Sequence, residues 1–188
     1  LAEKPACLNP GDFDSLVVKA EKKGLHLMLA LANRLNPEIL KAKALVAKGA
    51  IGQIYNVQMN LIEDQRRLTS KAYHSSWYAD KDRAGGGHLT WLGIHWLDLA
   101  MYITDASVSH VAGFSGNVGG QPITIEDSVA LSMRFDNGTF GTLSSGYYLD
   151  RGYQSMLKVW GSEGWLEIES ESPRRVRWHS TASGTPVD

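Results

Sequence analysis

The sequence predicts an α+β fold: an open, mostly antiparallel β-sheet with helices on one face, preceded by one helix–strand unit of the α/β type. Alternating apolar and polar residues recur between residues 55 and 179, with turn residues between the runs, which is typical of half-buried strands. Near the N-terminus, by contrast, a helical pattern leads directly into a continuous apolar run. The 188 residues, 43% of them hydrophobic, suffice for one globular core or for one domain and part of another.

The N-terminal helix is predicted to begin at Asn9 and Pro10, an N-cap residue followed by a proline in the first turn. Gly24 ends this helix, and the apolar run 25–31 then predicts a buried strand. A helix joined to such a strand is half of a βαβ unit, and a parallel strand needs neighbouring strands. The helix has an apolar face formed by Phe13, Leu16, Val17 and Ala20.

A second helix is predicted from Asn36 to Gly49, followed by a strand over 55–61 with one polar face. The segment 63–83 is polar, irregular and rich in aromatic residues, which indicates a functional loop. A helix that opens with three glycines follows at 84–103. Further strands are predicted at 107–115, 129–135, 139–147, 154–160, 164–169 and 174–179. The Asp-Asn-Gly turn at 136–138 indicates a hairpin, and consecutive hairpins indicate an antiparallel sheet with helices on its apolar face.

The composition excludes several function classes. A formal net charge of −1 gives no basic field for nucleic acid or for an anionic membrane. The apolar runs are far shorter than the roughly 20 residues of a membrane helix. Cys7 is the only cysteine, which excludes an internal disulfide and favours a reducing, cytoplasmic setting. Because the chain begins without methionine and ends in a polar stretch, we expect it to be a segment of a longer protein.

The glycine-opened helix, AGGGHLTWLGIHWLDLAMYI, is the strongest candidate for a functional element. Glycines at 85–87 expose backbone amides at a helix start, where anions bind, and leave room for a ligand. They also allow a tight junction between a loop and a helix. Neither the GxGxxG nor the Walker pattern is present, so both alternatives stay open.

Four polar or aromatic residues of this helix, His88, Trp91, His95 and Asp98, are spaced 3, 4 and 3 apart and would share one face. Two histidines seven residues apart lie about 10.5 Å apart along an α-helix, too far to share one ion, so no metal site is expected. His95 with Asp98 three residues later is either an acid/base group oriented by a carboxylate or a hydrogen-bonded core histidine.

Lys4, between Glu3 and Pro5, also has two interpretations. It is either a solvated loop charge or a proton-transfer and electrostatic group whose pKa burial or a cofactor cation lowers.

Six stretches together resemble the glucose–fructose oxidoreductase/inositol dehydrogenase (Gfo/Idh/MocA) family. They are EKP at 3–5, NRLNP at 33–37, KGAIGQI at 48–54, AGGG…GIHWLDL at 84–99, IEDSVALSMRFDNGTFGTLSSG at 125–146 and VWGSEGWLEI at 159–168. Their order and spacing cover nearly the whole chain. Members of this family pair an N-terminal Rossmann domain, which binds NAD or NADP, with a C-terminal open sheet.

The resemblance implies a division into two parts. Residues 1–32 would be the last helix–strand unit of the Rossmann domain, and residues 33–188 most of the C-terminal substrate and oligomerisation domain. The full-length protein would then be an NAD(P)-dependent dehydrogenase or reductase of a sugar, cyclitol or polyol, and a homo-oligomer through the sheet. Because the dinucleotide fingerprint is absent here, this chain alone would be inactive.

The resemblance also implies roles for individual residues. Lys4, in an often cis Lys-Pro pair, would lie beside the nicotinamide and the substrate hydroxyl, with Glu3 and Pro5 as partial cofactor contacts. His95 would be the acid/base group and Arg34 would line the cleft, while Trp77 and Trp91 would shape the substrate pocket.

One position departs from the family pattern. Many members have aspartate four residues before the histidine, where this chain has Trp91. An indole stacks on a sugar but transfers no proton. Asp98 and His88 are then the nearest substitutes in a proton relay. The alternative function is a non-catalytic sugar-binding or dimerisation domain that has lost part of that relay.

Overall fold

The computed structural model describes residues 1–169 and 175–182, and its centre is one seven-stranded sheet. The strands are β1 Ile54–Asp64, β2 Val108–Gly116, β3 Ser128–Phe135, β4 Phe140–Leu149, β5 Tyr153–Gly161, β6 Gly164–Glu169 and β7 Val176–Ser180. Their order is β2-β3-β4-β1-β5-β6-β7, and only the β1–β4 pair is parallel. The predicted open, mostly antiparallel sheet is therefore confirmed. Residue 174 of the last predicted strand lies outside the described residues.

Five α-helices accompany the sheet in the described part of the chain: α1 Pro10–Lys22, α2 Pro37–Ala47, α3 Lys71–His74, α4 Lys81–Ala84 and α5 Ile94–Thr104. Helices α2 and α5 contact each other and pack on one face of the sheet, where they form the main core. Within these residues, no helix is both long and apolar enough to cross a membrane.

The central strand β1 shows why the sheet has one covered face. Val57, Met59 and Leu61 alternate along it and are fully buried under the helices. Gln58 and Asn60 lie between them and face the opposite side. Because β1 is hydrogen-bonded to β4 on one side and to β5 on the other, its C-terminal end at Glu63 lies inside the sheet rather than at an edge.

The N-terminal helix forms as predicted, and the Asn9 side chain accepts a hydrogen bond from the Gly11 amide at 2.9 Å. The prediction of a buried strand over 25–31 is wrong. Leu29 forms a single parallel bridge with Ala2, and Leu25 and Met28 are 61% and 65% exposed. A parallel strand becomes buried only between neighbouring strands and under helices, and among the described residues Ala2 is the one bridge partner.

The segment after β1 is more regular than the sequence predicts. Residues 65–67 and 77–79 form 3-10 turns and α3 and α4 lie among them, so a string of short helices replaces the expected loop. Ser70 and Asp80 cap α3 and α4 by accepting backbone amides. These turns pack on a second apolar cluster formed by Leu68, Tyr73, Ala79, Ala84, Ile125 and Tyr147.

The glycine-opened helix begins with a π-helical turn at Leu89–Gly93 before α5 continues it. The Ile94 amide accordingly donates to the Leu89 carbonyl, five residues back. A π turn is wider than an α turn, so residues before and after it do not keep the 3.6-residue spacing. The sequence analysis assumed that spacing for all four residues from 88 to 98.

Candidate active site

The glycine turn is closed by a carboxylate of the protein itself. Glu126 accepts hydrogen bonds from the amides of Gly87 at 2.7 Å and Leu89 at 3.2 Å, and its carbonyl accepts the His88 amide at 3.1 Å. A Cβ atom on Gly87 would lie 1.9 Å from that carbonyl oxygen. The glycines therefore allow a tight junction, and the amides proposed for an external anion hold Glu126.

The four helix residues that the spacing placed on one face occupy separate environments. His88 is fully buried under the sheet, Trp91 lines a cavity, His95 is half-buried, and Asp98 is buried against Arg34. The π turn contains Trp91 and separates His88 from His95 and Asp98. Within the described residues, no group of three or more histidine, cysteine or acidic side chains is arranged to hold a metal ion.

Arg34 and Asp98 form an ion pair in which each carboxylate oxygen accepts one guanidinium hydrogen bond. Arg34 Nε donates to Asp98 Oδ2 at 2.8 Å, and a terminal nitrogen donates to Oδ1. The Arg34 guanidinium also lies 5.0 Å from the Tyr102 ring. Arg34 was predicted to line the substrate cleft. In the structure its guanidinium is paired with Asp98 of helix α5.

His95 does not obtain the carboxylate partner that its spacing to Asp98 allows. Its Nδ1 atom is buried and has no hydrogen-bond partner among the described residues. Burial, and secondarily the positive charge of Lys4, lower the pKa of His95 below its ordinary value of 6.5. The structure therefore brings a neutral imidazole into the field of Lys4, although His95 is not among the residues that line the cavity.

His88 is part of the core. Its Nδ1 atom lies 2.6 Å from Ser145 Oγ, and its ring meets the Tyr147 ring edge-on at a centroid distance of 4.4 Å. Burial lowers the pKa of His88 to about 4, so the ring is neutral at pH 7. His88 supports Tyr147, which in turn lines the cavity.

This burial predicts an acid-sensitive fold. The unfolded state has the ordinary histidine pKa of 6.5 and the folded state a pKa of about 4, so the unfolded state binds more protons between these values. Stability contributed by neutral His88 is complete above pH 6.5 and is lost as the pH falls through this window. We expect a loss of about 2 kcal/mol between pH 7 and pH 5.

Denaturant unfolding of the wild type and of His88→Asn at both pH values measures this loss. His88→Asn should be less stable at pH 7 but should lack most of the pH dependence, whereas the exposed control His110→Gln should retain it. An equally steep pH dependence in His88→Asn would contradict the assignment.

The cavity beside Trp91 has a volume of about 360 Å³, and Lys4 and Trp91 lie together in its wall. The remaining lining residues are Glu3, Arg67, Tyr73, Tyr78, Gly87, Leu92 and Tyr147. Lys4 Nζ donates to the Trp91 carbonyl and lies 5.6 Å from the Trp91 ring centroid. Burial lowers the pKa of Lys4. The Lys4–Pro5 peptide bond is cis, as the resemblance implies.

Trp77 lies behind the cavity wall. Its ring stacks on Tyr78 at a centroid distance of 3.9 Å and meets Trp91 edge-on at 5.4 Å. Tyr78 itself meets Trp91 at 5.0 Å. Trp77 therefore holds two of the rings that form the wall, rather than facing the cavity itself.

Five residues of the cavity wall were not selected from the sequence: Arg67, Tyr73, Tyr78, Leu92 and Tyr147. Arg67, Tyr73 and Tyr78 come from the segment after β1, where the aromatic content was noted but no residue was selected. Tyr147 is the register partner of Glu63 at the end of β1. In the predicted strand 139–147 every second side chain faces the covered side of the sheet, and this alternation places Tyr147 on that side.

A larger cavity of about 460 Å³ lies on the uncovered face of the sheet. Its wall contains Gln58 and Asn60 of β1, short polar residues of β3 and β4, and Phe114 of β2, but no titratable residue. It offers no group for proton transfer, whereas the smaller cavity has Lys4 in its wall and His95 nearby.

Comparison with known proteins agrees with this fold. The chain is 26% identical over 173 residues to a myo-inositol 2-dehydrogenase from Thermotoga maritima, covering 86% of this chain and 46% of that protein. An oxidoreductase domain protein from Kribbella flavida superposes with a TM-score of 0.88 at 24% identity, over 99% of this chain and 53% of that one. An inositol dehydrogenase homologue from Azotobacter vinelandii, complexed with NADH and myo-inositol, superposes with a TM-score of 0.83 at 19% identity, over 99% and 48%.

The chain thus spans about half the length of the curated relatives it matches. The family model described as the GFO/IDH/MocA C-terminal domain matches residues 39–167, a range that contains the sheet from β1 to most of β6 and the helix that carries Trp91 and His95. The chain belongs to the GFO/IDH/MocA C-terminal domain family.

Proposed function

We propose that this chain supplies the substrate side of an NAD(P)-dependent oxidoreductase that transfers a hydride to or from a sugar, cyclitol or related polyol. The observation that carries the proposal is Lys4, bound to the Trp91 carbonyl in the wall of an aromatic cavity. A cavity of about 360 Å³ is large enough for a monosaccharide-sized ligand. The names of the relatives from Thermotoga maritima and Azotobacter vinelandii support a polyol substrate.

The cofactor site is proposed at the N-terminal side of the cavity. Glu3, Lys4 and Pro5 would contact the nicotinamide, which supplies the hydride acceptor or donor when bound. These residues fit a nicotinamide site beside the substrate, because Glu3 and Lys4 already form part of the cavity wall. The Gly87 and Leu89 amides hold Glu126, so the glycine turn of this chain is not the phosphate cradle.

Residues 1–32 are proposed as the last unit of the nucleotide-binding domain, and residues 33–188 as the substrate domain. The apolar side chains of Leu16, Leu25 and Met28 support this division, because they are about half exposed or more and α1 buries no residue. Further strands and helices of a nucleotide-binding domain would cover them. We therefore expect no turnover from this chain alone.

The proposed proton transfer uses two groups whose pKa values are both lowered. His95 is neutral at pH 7 and takes the hydroxyl proton during oxidation, while the Lys4 ammonium polarises the substrate oxygen. Trp91 cannot accept a proton from imidazolium Nδ1, which has no partner among the described residues. Protonated His95 is therefore disfavoured, and the proton that it takes from the substrate hydroxyl is released to water.

A pH profile of the full-length protein tests the role of His95. Because its pKa lies below the ordinary 6.5, the neutral base persists at mildly acidic pH. The acid limb of kcat/KM for oxidation should accordingly fall below pH 6.5. His95→Gln should lower kcat about 100-fold and abolish the limb, while His110→Gln on the exposed strand β2 should change neither. Wild-type turnover in His95→Gln would remove the proposed base.

The function itself is tested by assaying the full-length protein with NAD⁺ and NADP⁺ on a panel of sugars, cyclitols and polyols. Reduction of the nicotinamide with at least one of them is expected. Sugar binding without turnover on any substrate would instead favour the non-catalytic alternative. In that alternative, Trp91 stands in place of the aspartate that completes the proton relay.

Assembly through the uncovered sheet face is a further part of the proposal. Phe114 on β2 is 86% exposed and lines the cavity on that face, so the face presents an apolar side chain that a second copy would cover. A reducing, cytoplasmic setting is proposed as well, because Cys7 is the only cysteine.

A further inference from the structure

We propose that Arg67 binds an anionic group of the substrate, so that the cavity selects a sugar carrying a carboxylate or a phosphate over a neutral one. The inference rests on the proposed function of the cavity and names the substrate class that the cavity would take.

The Arg67 side chain lies against two tyrosine rings in the cavity wall. Its guanidinium carbon lies 5.3 Å from the Tyr73 ring centroid and 5.2 Å from that of Tyr78. Arg67 and both tyrosines line the cavity. Two aromatic contacts hold a planar guanidinium in place, and its N–H groups stay available for the bidentate recognition of a carboxylate or phosphate.

No carboxylate among the described residues lies within ion-pair distance of Arg67. The adjacent Arg66 differs, because its Nε donates to Asp64 Oδ2 at 2.9 Å. Arg67 is thus a solvent-exposed cation that lies against two tyrosine rings of the cavity wall and lacks the carboxylate partner of Arg66.

The acidic residues around the cavity do not replace that counterion. Both oxygens of Glu126 accept backbone amides. Glu63 is half-buried; burial raises its pKa and the charges of Arg67 and Lys4 lower it, but Glu63 forms no ion pair with Arg67. Glu3 is exposed at the rim. Arginine keeps its charge at every working pH, so an entering carboxylate or phosphate would complete a pair in a wall of tyrosine and tryptophan.

Calorimetry on the full-length protein with reduced cofactor tests the inference without turnover, because reduced nicotinamide cannot oxidise an alcohol. The ligands are methyl glucuronide, glucose 6-phosphate and neutral methyl glucoside; the first two distinguish a carboxylate from a phosphate. The wild type should bind at least one of the anionic sugars about 10- to 100-fold more tightly than methyl glucoside. Arg67→Gln should lose this preference and leave the neutral sugar within about twofold.

Two further variants control for charge and folding. Arg66→Gln removes a neighbouring charge outside the cavity and should keep the preference. Arg67→Lys keeps the charge but not the planar fork, and should retain part of the preference. Thermal melting of each variant checks that it is folded.

Equal binding of anionic and neutral sugars by the wild type, or no binding of the anionic ones, would overturn the inference. An equal loss for all sugars in Arg67→Gln would overturn it as well, since Arg67 would then only shape the wall. Failure of this inference can be distinguished from failure of the proposed oxidoreductase function. Turnover of neutral polyols without a preference refutes only the anionic subsite, whereas a preference without any turnover supports the subsite and contradicts the dehydrogenase.

Discussion

Replacement of Lys4 by methionine is expected to lower kcat of the full-length protein by about 100-fold or more, the range found for groups that assist proton transfer. Methionine keeps the length and the apolar stem of lysine but removes the ammonium that is hydrogen-bonded to the Trp91 carbonyl. In the proposed mechanism that ammonium acts on the developing charge at the substrate oxygen, so KM should change much less than kcat. Steady-state kinetics on the best polyol of the panel measure both.

Lys43→Met is the matched control for this prediction. Lys43 also donates to a backbone carbonyl, that of Tyr102, at 2.9 Å, and lies 3.8 Å from the Tyr102 ring centroid. It shares the chemistry of Lys4 but lies on α2, away from the cavity. Its loss should leave kcat within about twofold. A similar loss of kcat in both variants would show that the Lys4 effect is structural.

Gly87→Ala is expected to destabilise the protein by about 3 kcal/mol, the upper part of the range for forcing a methyl group into a packed site. The new Cβ would lie 1.9 Å from the Glu126 carbonyl oxygen and 3.0 Å from the Glu126 amide nitrogen. Both are backbone atoms, so a side-chain rotation cannot relieve the clash. The junction must open, which weakens the hydrogen bonds from the Gly87 and Leu89 amides to the Glu126 carboxylate. Denaturant unfolding measures the change.

Gly116→Ala provides the comparison. A Cβ at Gly116 meets no atom within 4 Å, and its φ lies outside the left-handed region. The change should therefore stay within about 0.5 kcal/mol of the wild type. Near-wild-type stability of Gly87→Ala would mean that the junction is looser than described.

The sheet could be predicted from the sequence because its signals are local. Alternation along β1 and the 136–138 turn each depend on a few neighbouring residues. The prediction of a buried strand over 25–31 also used a local signal, and it failed because an apolar run forms a buried strand only if neighbouring strands exist. The bridge from Leu29 to Ala2 is the one parallel pairing that this strand obtains within the described chain.

The site was less predictable because it depends on contacts between distant residues. Arg34 pairs with Asp98 across 64 positions, and no spacing rule connects them. The π turn at Leu89–Gly93 breaks the helical period between His88 and His95, whereas Asp98 keeps its α-helical spacing to His95 and pairs with Arg34. Lys4 and Trp91 meet 87 positions apart, and only the resemblance brought them into one hypothesis.

A crystal structure of the full-length protein with its nicotinamide cofactor and a bound sugar or polyol would show directly whether the substrate occupies the cavity beside Trp91. We expect the ligand in the cavity of about 360 Å³, with a carbinol oxygen at Lys4 and the sugar face against Trp91. A ligand seated only in the groove beside Gln58 and Asn60, on the uncovered face of the sheet, would contradict it.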